Sequence, residues 1–188
     1  MTLRPTRKPA NGRLASVTSM SEADRHRFVV PPVSGEFDDI DLALLDPSDP
    51  DERRLLILAE HPELSRAIDA GRSEIHLHGE LLNPTLHIAM HEIVANQLWD
   101  DQPPEMWQTA QRLTDAGYDR HEVLHMLASV VSDDVFHALK HEQPHDPDQT
   151  RSALAALPES WERQRANIPV ERHMNRQERR AAQRRRRH

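Results

Sequence analysis

NPTLHIAMHEIVANQLWDDQPPEMWQTAQRLTDAGYDRHEVLHMLASVVSDDVFHALKH, residues 83–141, decides the fold. Asn83-Pro84 supplies an N-cap and an N1 proline, so a helix is expected over 84–99. The Asp100–Pro104 turn begins a second helix, about 104–116, which Gly117 closes as the residue past its C-terminus. Asp119 caps a third, 120–141, the longest and most apolar of the set. Connections this short make the three run up-down-up, so the first and third are parallel.

Outward from this stretch the signals weaken. Asp49-Pro50 precedes a helix over Arg53–Glu60, His61-Pro62 breaks it, and Glu63–Ala70 reads as a short helix ended by Gly71. Ser73–Leu82, with its alternating Ile75-His76-Leu77-His78, reads as a short extended piece or a loop. Beyond Pro144, short helical segments are expected at 147–156 and 158–166. No strand of useful length and no internal repeat stands out. The expectation is an all-α fold, a small bundle of five or six helices over 46–166. Residues 1–45, polar and without a helical or strand period, read as disordered, and 167–188 as a basic Arg-rich tail.

The net charge of -7 conceals a partition. Residues 31–161 carry eight basic against twenty-six acidic residues, while both ends are basic. With no cysteine, disulfides, iron–sulfur clusters and thiolate zinc sites are excluded, so a metal must rely on N and O ligands. No apolar run approaches the ~20 residues that span a bilayer. No apolar signal segment follows the basic N-terminus, and a cytoplasmic protein without membrane partners is the expectation.

Two histidine pairs carry the chemistry. His87–His91 and His121–His125 are both His-x-x-x-His steps, which put two imidazoles on one helix face a turn apart. At 100° per residue, each pair flanks the apolar arc of its helix. His87 and His91 flank Leu98 on one shoulder of an arc formed by Leu86, Met90, Ile93, Val94, Gln97 and Leu98. His121 and His125 lie on either side of Ser132. Both pairs occupy the first two turns, so parallel helices bring all four to one end of the bundle. Helix N-termini favour neutral imidazole, the form that binds metal. His87, His91, His121 and His125 are therefore the expected ligands of a divalent transition metal such as Zn, Fe, Ni or Mn. His76, His78 and Glu80 are close enough in sequence to reach the same region. Core-edge packing is the competing structural use of these histidines.

His121-Glu122-Val123-Leu124-His125 also spells the H-E-x-x-H of zinc hydrolases, with Glu122 as catalytic base if the chain were one. Against this, Asp119-x-x-Glu122 is a capping box, and no His-x-x-Gly-x-x-His extension supplies a third ligand. A binding protein is the better reading than an enzyme. A different class is offered by the last 27 residues, which hold ten arginines, including Arg176, Arg179, Arg180, Arg184, Arg185, Arg186 and Arg187. They suit sequence-independent, salt-sensitive binding to RNA or ribosomes, or a solvated extension. Trp99, Trp107 and Trp161 read as anchors between helices, and Ser129 and Ser132 as helix-interior serines bonded to the backbone.

Asn83-Pro84, His87 and His91 in NPTLHIAMHE, Gln97, the Asp-x-Pro-Pro turn at 101–104, and Gly117 followed by Arg120-His121-Glu122-x-x-His125 together resemble a bacterial family of uncharacterised proteins, domain of unknown function 1841. The resemblance covers about 83–140 and includes all four histidines. It implies a small helical domain and supplies no activity.

Overall fold

Caps and helix breakers set the element boundaries in the computed structural model, which describes residues 21–77, 79–141 and 146–167. Among them run eight α-helices: α1 (Glu22–Val29), α2 (Pro50–Glu60), α3 (Pro62–Asp69), α4 (Pro84–Asp100), α5 (Pro104–Asp115), α6 (Arg120–His141), α7 (Pro147–Ala155) and α8 (Glu159–Asn167). Asn83 Oδ1 accepts from Leu86 N at 2.9 Å, and Asp119 Oδ1 accepts from Glu122 N at 3.0 Å, so α4 and α6 start where their caps place them. Gly117, at φ 97°, ends α5 in a backbone region that a side chain would strain.

The fold is all-α apart from two short antiparallel hairpins, β1 (Glu36–Phe37) with β2 (Ile40–Asp41), and β3 (Ile75–Leu77) with β4 (Glu80–Leu82). The stretch expected as an extended piece or a loop is thus the second hairpin, with Ile75 opposite Leu82 and Leu77 opposite Glu80. Alternating apolar residues suit its pleat, and Gly79, at φ 89°, supports the turn.

Helices α4 and α6 run in the same direction. His91 meets His125, and further along both helices Ile93 and Gln97 share a small cavity with Val131, Asp134 and Val135. Helix α5 returns between them and buries Met106, Trp107, Ala110 and Leu113 in the common core.

Two expectations need correction. Residues 21–45 are not structureless, and the helix count exceeds five or six. Helix α1 has almost no apolar face of its own, so its anchors are distant in sequence. Arg25 donates to the Leu98 carbonyl at 2.7 Å and to that of Trp99, satisfying the C-terminal end of α4. His26 stacks on Trp99 with centroids 3.8 Å apart, and Val29 is fully buried. Such contacts leave no local period to read. Residues 1–20 lie outside the described residues.

A further correction is the apolar arc of α4. Leu86 is exposed, whereas Ile88, His91, Val94, Ala95 and Leu98 are buried. Helix α4 packs against α1, α2, α3, α5 and α6, so no single hydropathy stripe marks its inner face. His91 belongs to the Leu98 face and sits at its centre, not on a shoulder.

Candidate metal centre

The site begins at the corner between α2 and α3. Pro62 cannot continue α2, so the chain turns at His61, whose backbone serves both helices. Its N–H donates to the Leu58 carbonyl at 3.0 Å, and its own carbonyl accepts from Leu64 and Ser65, each at 3.0 Å. The side chain is fixed as firmly. His61 Nδ1 lies 2.8 Å from the Ile57 carbonyl, which can only accept, so Nδ1 carries the proton and Nε2 the lone pair. That Nε2 is buried and without a hydrogen-bond partner.

Facing this corner are the first two turns of α4 and α6. His61 packs its ring against His87, His91 and His121, with centroids 5.3, 4.6 and 5.0 Å away. His91 and His125 bring their ring nitrogens together, Nε2 to Nε2 at 3.1 Å. His87 contacts His91 at 4.8 Å and His125 at 5.1 Å, ring to ring. The four histidines read from the sequence are therefore brought together, and a fifth, His61, joins them.

Within this group one ligand atom each from His61, His91, His121 and His125 lie within 4.8 Å of one another. His87 stands beside that set. In a tetrahedral zinc site, with Zn–N near 2.0–2.1 Å, ligand nitrogens stand about 3.4 Å apart, and opposite nitrogens of an octahedron about 4.2 Å. The 3.1 Å pair already has a ligand-like spacing, and a pair 4.8 Å apart needs about 0.6 Å of closure to stand opposite in an octahedron and about 1.4 Å in a tetrahedron.

Burial sets the electrostatics. It drives His87 down to about 4 and His125 down to about 3, with the neighbouring imidazoles adding to the effect. His91 and His61 are pushed down for the same first reason. These rings are neutral at pH 7 and present lone pairs. Glu60 supports them from behind. Its Oε1 accepts from Arg120 at 2.6 Å and lies 3.7 Å from His121 Nδ1. Burial alone would raise the Glu60 carboxyl, but the nearby His121 imidazole and the Arg120 charge outweigh it and hold the group below its usual range. A carboxylate behind an imidazole fixes the ring and strengthens its other nitrogen as a ligand.

Arg120 ties this arrangement to α1. Its Nε donates to the Phe28 carbonyl at 2.6 Å and its Nη2 to that of Val29 at 2.8 Å. Burial lowers its pKa somewhat, against the pull of Glu60.

Above the imidazoles opens a cleft of about 640 Å³, walled by the β3–β4 hairpin, α4, α6 and Trp161 of α8. A neighbouring cleft of about 430 Å³ shares His121, His125, Glu80 and Trp161. Glu122 lines the second, with its carboxylate 3.4 Å from Arg165. Glu80 thus reaches the region as expected, and His78 lies outside the described residues. Ser129 donates to the Met126 carbonyl at 2.7 Å, as an ordinary helix serine does. Trp107 is a core anchor, Trp99 receives His26 and Arg53, and Trp161 is half-buried with an unpartnered Nε1. The arginines from 172 onward, Arg176 to Arg187 among them, lie outside the described residues.

Sequence reasoning missed His61 and Glu60. The available signal was the His61-Pro62 break, where a helix ends on a side chain able to coordinate metal.

Residues 47–156 match the family model for a domain of unknown function, DUF1841, and this span is more than half of the chain. The chain belongs to that family. The matched span contains all five clustered histidines, Glu60 and Arg120. No curated protein and no solved structure matches the chain.

Proposed function

We propose that this protein binds a divalent transition metal through His61, His91, His121 and His125, with His87 as an adjoining fifth imidazole. The observation that carries this reading is the His61 Nε2 lone pair. It is buried, unpartnered and oriented by a backbone acceptor, on a ring that packs beside His87, His91 and His121 from two other helices. Core histidines would be expected to pair their nitrogens, because a buried polar atom without a partner costs about 1–3 kcal/mol. A cation shared by the ring nitrogens removes that cost and the proton ambiguity between His91 and His125. An all-imidazole set suits zinc, nickel or iron better than manganese, which prefers oxygen.

The test is the metal content of protein purified without a histidine tag, compared with a variant carrying His→Ala at 61, 91, 121 and 125. About one equivalent in the parent and a trace in the variant is the expected result. Equal, sub-stoichiometric metal in both would overturn the reading. Binding is the function supported; hydrolysis through Glu122 would need that carboxylate freed from Arg165.

A further inference from the structure

The cleft above the imidazoles has features that metal binding alone does not require. Structural zinc sites are closed, whereas His121 and His125 line two adjoining clefts and are reached from both. The ligand nitrogens spread to 4.8 Å, wider than a closed tetrahedron, which leaves room for an additional donor. The larger cleft, about 640 Å³, falls within the range of small-molecule sites.

Its walls describe the occupant. One side is aliphatic: Leu77, Leu81, Leu82, Leu86 and Met90 come from the hairpin and from α4. Leu81 and Leu86 are 58% and 57% exposed, an apolar surface at the cleft that packing in the fold leaves uncovered. Among the described residues, the charged side chains that line the cleft, apart from histidine, are Glu60, Glu63 and Glu80, and no lysine or arginine joins them. A carboxylate-bearing molecule would meet like charge there, and an uncharged one would not.

We infer that the cleft takes a small molecule that is uncharged in solution, with an aliphatic body and a weakly acidic oxygen-donor head. The head occupies the open position on the metal, and the body lies against Leu81 and Leu86. This assignment rests on the metal reading above, and the experiment separates the two.

Protein loaded with cobalt(II) is titrated with acetohydroxamic acid and with octanohydroxamic acid, following the visible absorption of the metal. The eight-carbon compound is expected to bind at least about tenfold more tightly, as burying a few methylenes requires. In Leu81→Ser/Leu86→Ser, two positions more than half exposed, cobalt content and acetohydroxamate affinity should stay unchanged. The chain-length advantage should shrink to about twofold. Octanoate should bind more tightly to Glu63→Gln/Glu80→Gln than to the parent. Equal affinities for the two hydroxamates, an advantage that survives the serine variant, or octanoate indifferent to the glutamine variant overturns the cleft assignment alone. A protein that takes up no cobalt overturns the metal reading and this inference with it.

Discussion

At their N-terminal turns α4 and α6 face each other through imidazoles; further along, the same helices share an apolar cluster that includes Val94, Leu98, Leu127 and Val131. The second region is what a folding chain needs: branched side chains, fully buried, with no polar atom to satisfy. The first is what a ligand needs. It holds five imidazoles where aliphatic residues would pack, and it leaves Glu60 Oε2 and His61 Nε2 buried without hydrogen-bond partners. Stability and chemistry are thus separated along one helix pair, a few turns apart.

That separation can be broken experimentally, and the largest expected effect is on metal. His91→Leu should remove bound metal while leaving the thermal midpoint of the chelated protein unchanged or raised, since an aliphatic residue replaces a buried imidazole. Metal analysis and melting curves on one preparation check both halves. A large fall in the chelated midpoint would show that the imidazole end also carries the fold. The converse substitution, Leu127→Ala, should destabilise by about 2–5 kcal/mol through the cavity it leaves, yet keep metal stoichiometry in the folded fraction. Denaturant melts and metal content decide it.

A smaller effect is expected from pH in the chelated protein. The folded-state values of His87 and His125, about 4 and about 3, lie below the unfolded value near 6.5. Between these limits the unfolded chain binds protons that the folded chain refuses. Their contribution is therefore fully present above about pH 6.5 and is lost as pH falls toward 4 and then 3. Melting midpoints from pH 7.5 to 5 should fall, and less steeply in His87→Gln/His125→Gln. The smallest effect is expected at Glu122, whose carboxylate faces Arg165. Glu122→Gln should leave metal content unchanged and shift the midpoint by less than about 1 kcal/mol of stability.

The same division explains what could be read from sequence. Helices α4, α5 and α6 are announced by Asn83-Pro84, Pro104, Gly117 and Asp119, all local signals. The four paired histidines are announced by their spacing. His61 is not, because a single histidine has no period, and only the fold brings the α2–α3 corner against the α4 and α6 turns. Helix α1 is hidden for a similar reason: Arg25 reaches Leu98 and Arg120 reaches Phe28 across more than seventy residues of chain. The inner face of α4 was misjudged because five neighbours bury it, and hydropathy marks only one stripe.

The fork of Arg120 has a consequence for how the protein is divided. The family-matched span, 47–156, contributes every imidazole of the cluster, whereas Phe28 and Val29, which hold two arms of that guanidinium, and Trp161, which walls both clefts, come from the flanks. The imidazoles and most of the cleft walls are thus portable with the shared domain, while one brace on Arg120 and the Trp161 wall are supplied by sequence outside it. A fragment trimmed to the shared span would keep the five imidazoles and lose the α1 brace on Arg120, leaving the cluster in a looser, more open setting.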